Sequence, residues 1–347
     1  MRILLGMSGG VDSSYAALKL KESGHAVEGA VLLMHQYTEI DEARASAESL
    51  GIPLHVIDAR EVFSRIVVGN FVSEYAEGRT PNPCIICNSD VKFRFLCDYA
   101  RENGFDKIAT GHYARIEKLN TAQGERYAVK YSADDKKDQT YMLWRLPQDI
   151  LSMLIFPLSD MKKEEIRRDS KERGLFAAER GDSQEICFIP DGDYASYIED
   201  RIGKFPEGDF VDTDGNPLGR HKGIIHYTVG QRKGLGIALG SRAFVTNIDK
   251  DTNRITLSTE PRYPNTFLIK DMVFSGIEEP LPGAEKILTV KVRYTAPRTT
   301  ARVVFCGNRG AIVTLSQCDR AVSLGQSAVI YDGDVVACGG IISDILT

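Results

Sequence analysis

Arg2-Ile3-Leu4-Leu5-Gly6-Met7-Ser8-Gly9-Gly10-Val11-Asp12-Ser13-Ser14 is the stretch whose reading decides the fold. Its apolar start reads as a buried strand, its glycines as a turn, and Tyr15 to Glu22 as a helix. Gly9 and Gly10 have no side chain to hold a ligand away and can take positive φ. Backbone N–H groups can therefore converge on an anion while the next helix aims the positive end of its dipole at it. Asp12, Ser13 and Ser14 are favoured N-cap residues and predict the helix start there. No Gly-Lys-Ser or Gly-Lys-Thr occurs in the chain, so the phosphate lysine of kinases and GTPases is missing.

Working outward, Ala26 to Leu33 and Pro53 to Asp58 read as further strands, and Ile40 to Leu50 and Glu61 to Ala76 as helices. This alternation predicts an α/β domain with a parallel sheet covered on both faces, its ligand bound beyond the carboxyl ends of the strands. At 347 residues the chain is long enough for two or three domains. Charged residues make up 26% and the net charge is −5, so any nucleic-acid partner must be held by local patches. There is no stretch of export-signal or membrane length, so the seven cysteines read as reduced thiols or metal ligands in a cytoplasmic protein.

Arg79-Thr80-Pro81-Asn82-Pro83-Cys84-Ile85-Ile86-Cys87-Asn88 holds a Cys-x-x-Cys. Its two prolines predict a rigid loop that presents both thiols at the start of a helix from Asp90 to Asn103, where a thiol's pKa falls. Lys107 to Thr110 is a strand that runs into Gly111-His112-Tyr113, and Gly111 there suggests close backbone approach to a ligand. A hairpin follows with its turn at Gln123-Gly124, then the charged loop Lys136-Lys137-Asp138-Gln139, which by itself is a solvated turn. Met161 to Arg173 reads as a helix whose charges form a solvated face, and Glu179 to Cys187 as a mobile polar loop. A mobile loop that brings Cys187 to Cys87 would suit a reaction in which one thiol attacks sulfur held on another. From Glu207 onward, short strands with turns at Asp214-Gly215, Asp251 to Asn253, Gly307 to Gly310 and Asp332-Gly333 predict two small β-barrels split near Pro261. Lys286 to Cys318 holds six cations and no carboxylate, a candidate phosphate-binding face with Tyr294 available for stacking.

Ser8 to Ser13 resembles the PP-loop of ATP pyrophosphatases, which cleave ATP between its α and β phosphates. Further along come Thr80-Pro81-Asn82-Pro83 with Cys87-Asn88, Gly111-His112-Tyr113 and Lys137-Asp138-Gln139. Asp182-Ser183 with Ile186-Cys187-Phe188-Ile189, His226 to Gly236, Arg293-Tyr294 and Gly325-Gln326-Ser327-Ala328 follow. In that order the chain resembles the bacterial tRNA-specific 2-thiouridylases over nearly its whole length. The resemblance implies a PP-loop catalytic domain over 1–203, a central β-barrel over 204–262 and a tRNA-contacting β-barrel over 263–347. It also implies that ATP and Mg2+ are held by Gly6, Met7, Ser8, Gly9, Gly10, Val11, Asp12 and Ser13, with Met34 and Gly111. The wobble uridine would be adenylated at its C2 oxygen and then attacked by sulfur from a persulfide. Asp12, Cys87 and Cys187 match catalytic positions, with Cys87 as the persulfide-bearing nucleophile and Cys187 as its partner. Asn82, Pro83 and Cys84 match positions beside the target base, and Lys137, Asp138, Gln139, Arg293 and Tyr294 match tRNA contacts. The implied partners are tRNA and a persulfide or sulfide donor protein, with the chain itself a monomer.

Two departures stand out. The family usually has aspartate where this chain has Cys84, so Cys84, Cys87 and Cys187 could instead hold a four-iron four-sulfur cluster, as in related thiolation enzymes. The stretch from His35 to Asp41 is shorter than in many relatives. Two other readings keep part of the pattern: a PP-loop ligase that adenylates a small molecule, and an RNA-binding protein with structural zinc at the Cys-x-x-Cys. The second lacks a further ligand pair nearby.

Overall fold

The computed structural model describes all residues except 122, 177–185, 238, 239, 241, 261, 262 and 347. The strands are β1 (Arg2–Gly6), β2 (Ala26–Leu33), β3 (Leu54–Asp58), β4 (Lys107–Thr110), β5 (Arg115–Thr121), β6 (Gly124–Lys130) and β7 (Leu154–Ile155). They continue as β8 (Gly208–Val211), β9 (Pro217–His221), β10 (Phe244–Asp249), β11 (Arg254–Ser258) and β12 (Thr266–Phe274). The last five are β13 (Glu285–Lys291), β14 (Thr299–Gly307), β15 (Gly310–Leu315), β16 (Ser327–Asp332) and β17 (Val335–Leu346).

The first sheet is parallel in the order β3-β2-β1-β4-β7. Alternation along β1 shows why both faces are covered. Ile3 and Leu5 pack with Tyr15, Ala16 and Leu20 of α1 (Val11–Glu22), whereas Leu4 points the other way into a core with Phe63, Phe93 and Leu96. The strand order reverses between β1 and β4, the position at which open parallel sheets bind ligands.

Helix α2 (Ile40–Ser49) precedes β3. Two longer helices each contain a π segment. Helix α3 runs over 60–76 with the π segment Ser64–Val68, and α4 over 83–102 with the π segment Cys87–Lys92. The start of α4 corrects the sequence expectation, since the helix begins at Pro83 rather than near Asp90. Proline is well suited to the first helical position, where its missing N–H would have no partner and its φ is already helical. Cys84 and Cys87 therefore lie within the helix. Helix α5 (Lys163–Glu172) starts two residues later than expected, and α6 is Tyr194–Ile202.

Beyond α6, β8 to β11 form a four-stranded sheet in the order β10-β11-β8-β9, with β11 and β8 parallel. Strands β12-β15-β14-β13-β16-β17 form an antiparallel barrel closed by pairing of β12 with β17. The hairpin β5–β6 joins this same sheet through Val335 opposite Lys130. The first part of the chain is thus stitched into the C-terminal barrel, a pairing that local sequence does not encode. Trp144, fully buried, donates from Nε1 to Ser327 Oγ at 3.0 Å, and Tyr141 donates to Ser327 O, adding a second seam.

Candidate active site

The phosphate turn leaves β1 at Gly6. Met7 N–H donates to Ala30 O at 2.8 Å and the Met7 side chain packs on Gly29, so both are fixed by the sheet. Gly9 has φ +76°, and a Cβ there would lie 2.8 Å from the Ala43 backbone nitrogen. Only glycine fits both demands. The N-cap of α1 is Gly10, not Asp12, Ser13 or Ser14, and no side chain caps it. Instead the Ser13 and Ser14 hydroxyls donate to Gly10 O, each at 3.0 Å, and Ser8 N–H donates to Ser13 Oγ at 3.3 Å. The first-turn N–H groups of α1, including those of Val11 and Asp12, are left for an anion.

Asp12 is the most constrained side chain of the turn. Lys163 Nζ donates to Asp12 Oδ1 and Oδ2 at 2.8 and 2.6 Å, and Tyr113 OH donates to Oδ1 at 2.6 Å. Lys163 is buried, and its backbone N–H donates to Asp134 Oδ2 at 2.9 Å. Sequence reading missed Lys163 by assigning its helix a solvated face. Gly111 lies close against the phosphate turn: a Cβ there would meet Asp12 C at 2.8 Å and Ser13 N at 2.9 Å. Its smallness lets the end of β4 press on the first turn of α1. His112 beside it is held near a pKa of about 3 by burial, with Lys92 adding to the effect, and its Nδ1 lies 2.7 Å from Thr110 Oγ1.

The thiols lie beyond the end of β2, the strand next to β1. Cys87 is buried with Sγ 3.7 Å from Met34 Sδ. Cys84 and Cys187 open to solvent, and Cys187 raises the pKa of Cys87 through its charge, as Cys84 does that of Cys187. Burial pushes Cys87 up to about 12 and Cys187 to about 11 and raises Cys84 as well, although these last two open to water at one side. Burial thus moves these thiols up, opposite to the low pKa expected at a helix start. Lys92, a second residue missed from the sequence, opposes burial at all three thiols. Among the described residues, no group of three His, Cys, Asp or Glu converges to hold a metal ion. Asp182 and Ser183 lie outside the described residues.

Asn82 Nδ2 reaches Met142 Sδ at 3.6 Å, and Pro83 is buried. The segment is strapped from the barrel, where Gln326 Nε2 donates to Thr80 O at 2.8 Å and Thr80 N–H donates to Leu324 O at 2.9 Å. Gly325, at φ +84°, lets this strap lie against Glu74 and Arg79.

The five positions matched to tRNA contacts divide. Asp138 is buried and accepts from Thr140 Oγ1, while Gln139 Oε1 accepts from Tyr113 N–H and so braces the residue that holds Asp12. Arg293 donates to Val229 O and Ser323 Oγ between the two β regions. Lys137 and Tyr294 are partly exposed. The basic run of the barrel is likewise largely engaged: Arg302 pairs with Glu285, Arg309 lies 3.9 Å from Glu279, and Arg298 lies over the Tyr131 ring.

With this geometry in view, the comparisons are specific. Three family models cover the chain: a "tRNA methyl transferase HUP domain" over 1–191, a "tRNA methyl transferase PRC-barrel domain" over 195–259 and an "Aminomethyltransferase beta-barrel domain" over 265–342. The chain is 43% identical over 363 residues to a tRNA-specific 2-thiouridylase of Clostridioides difficile, covering 99% of each chain. It is 42% identical to that of Clostridium beijerinckii, covering 99% of each, and 41% identical to that of Treponema denticola, covering 99% of this chain and 98% of the other. The chain belongs to the tRNA-specific 2-thiouridylase family. Full-length identity to the 2-thiouridylases outweighs the methyltransferase wording of the domain descriptions. A solved 4-thiouridine synthetase–RNA complex matches with a TM-score of 0.37 and 18% identity, covering 57% of this chain and 50% of that one.

Proposed function

We propose that the chain is a tRNA sulfurtransferase that spends ATP to replace the C2 oxygen of the wobble uridine with sulfur. The observation that carries the reading is the meeting of two devices at one sheet edge. The phosphate turn closes β1, and the Cys87 thiol sits against Met34, just past the end of the neighbouring strand β2.

The open first turn of α1 takes the ATP phosphates. The Ser8 and Ser13 hydroxyls, with the carboxylate lone pairs of Asp12 that Lys163 and Tyr113 leave, would be the hard oxygen donors for Mg2+, which would supply neutralisation of phosphate charge. The uridine O2 attacks the α-phosphorus, the bond to the β-phosphate breaks and pyrophosphate leaves. The oxygen is now part of AMP, a far better leaving group. The terminal sulfur of a persulfide on Cys87 then attacks C2 and AMP departs. The uridine is then still tethered to Cys87 through an S–S bond, which an external thiol cleaves while Cys187 supplies a proton. In the other order Cys187 first attacks the inner sulfur of the persulfide, forming a Cys87–Cys187 disulfide that an external thiol later reduces and liberating sulfide as the nucleophile at C2. Lys92 is the cation on hand to favour ionised sulfur at Cys87 and Cys187, against the desolvation that raises both. A persulfide or sulfide donor protein supplies the sulfur. Asn82, Pro83 and Cys84 border the target base, and Lys137 and Tyr294 offer the tRNA-facing surface.

The test is pyrophosphate release from ATP with unmodified tRNA transcript. Release that depends on tRNA and is abolished in Asp12→Ala supports the reading. Release that needs a small-molecule acceptor and ignores tRNA would make the chain a PP-loop ligase.

A further inference from the structure

A cleft of about 260 Å3 opens beside the thiols, walled by the loop after β2, by α3 and by α6. Its volume lies just below the roughly 300 Å3 at which sites for drug-sized ligands begin, so it has room for a single heterocycle with little more. The lining is aromatic and basic. The His35 ring lies tilted at 5.5 Å from Phe63, Phe63 meets Phe188 at 5.5 Å, and Phe188 meets Tyr197 at 5.4 Å. Tyr37 lines the cleft half exposed, at 49%, with its ring 6.2 Å from that of His35. Arg201 lies 3.5 Å over the Tyr197 ring, and Arg60, paired with Asp58 at 2.6 Å, also lines the cleft. Among the described residues of this wall, His35 Nδ1 is a buried side-chain polar atom without a hydrogen bond. Burial also lowers the His35 pKa, so the imidazole is neutral and can pair with an uncharged edge.

Flat rings, guanidinium groups in the lining and one unsatisfied imidazole nitrogen are the features that hold a nucleobase attached to a phosphate backbone. Met34 lines this cleft and also touches Cys87, so an occupant sits one wall away from the reacting sulfur. We infer that the cleft seats the base of a nucleotide next to the target uridine, stacked at Tyr37 and hydrogen-bonded at His35 Nδ1. This rests on the tRNA reading above. Seating a neighbouring base splays the strand and turns the target toward Cys87.

The experiment uses the full chain, ATP, inorganic sulfide and anticodon stem-loops that carry a normal base or an abasic site on either side of the target. Base stacking on an aromatic side chain contributes roughly five- to 150-fold in binding. Tyr37→Ala should raise the stem-loop KM about tenfold with kcat and the ATP KM unchanged, and Tyr37→Phe should restore it. An abasic site at one neighbouring position should weaken the wild-type enzyme as much, and add nothing further in Tyr37→Ala. Unchanged KM in Tyr37→Ala, or abasic effects that simply multiply with it, would overturn the inference. A shift confined to the ATP KM would assign the cleft to adenine and overturn it as well. So would a defect seen only with a protein persulfide donor, which would assign it to that donor. If the wild-type chain neither binds nor thiolates the stem-loop, the tRNA reading falls and this inference with it.

Discussion

Replacing Lys163 by methionine tests whether Asp12 is held in place by a buried ammonium. The Lys163 side chain is 6% exposed and that of Asp12 32%, with both carboxylate oxygens taken by Nζ. Removing one member of a fully buried ion pair costs about 3–5 kcal/mol. Asp12 keeps a third of its side chain in water and still accepts from Tyr113, so the expected loss is discounted to about 2 kcal/mol. Methionine preserves the packing of the lysine stem and isolates the charge. Urea unfolding followed through Trp144, the sole tryptophan, gives the stability of each variant. In an Asp12→Asn background the same replacement should cost less than about 0.5 kcal/mol, because the charge it pairs with has gone. A loss below about 0.5 kcal/mol in the wild-type background, or an equal loss in both, would refute the reasoning.

Two further outcomes follow from the same physics. With iodoacetamide at pH 7, exposed Cys306, Cys84 and Cys187 should be alkylated before Cys87, whose pKa burial lifts to about 12; mass spectrometry showing Cys87 modified as fast as Cys306 would contradict this. Burial lifts the Asp138 carboxyl to about 6, above its ordinary 3.8, so the folded state holds that proton more tightly. Its stabilisation is complete below about pH 4 and is lost as pH rises through 6. Asp138→Asn, which keeps an acceptor for Thr140, should therefore match the wild type at pH 4 and exceed it by about 2 kcal/mol at pH 8 in urea unfolding. A constant difference across that range would remove Asp138 as its source.

The phosphate turn was legible because strand, glycines and helix lie within fourteen contiguous residues, where local propensity and anion geometry agree. The parallel sheet followed from the alternation of elements for the same reason. What escaped was non-local. Lys163 sits in a charged helix that resembles any solvated one, and only contact with Asp12, 151 positions earlier, makes it a buried partner. The hairpin β5–β6 shows two strands in sequence but not that Lys130 faces Val335 in the barrel. The prolines before Cys84 read as helix breakers, although Pro83 occupies the one helical position that favours it. The cation run in the barrel displayed its charges and hid Glu285 and the tyrosine rings that engage them.

The most direct measurement is 2-thiouridine formation in unmodified tRNA, by nucleoside mass spectrometry, with ATP and a persulfide donor, for the wild type and Cys87→Ser. The account predicts thiolated uridine with AMP and pyrophosphate from the wild type, and from Cys87→Ser retained ATP binding with no 2-thiouridine. Thiolation that survives in Cys87→Ser would contradict it and remove that thiol from the chemistry.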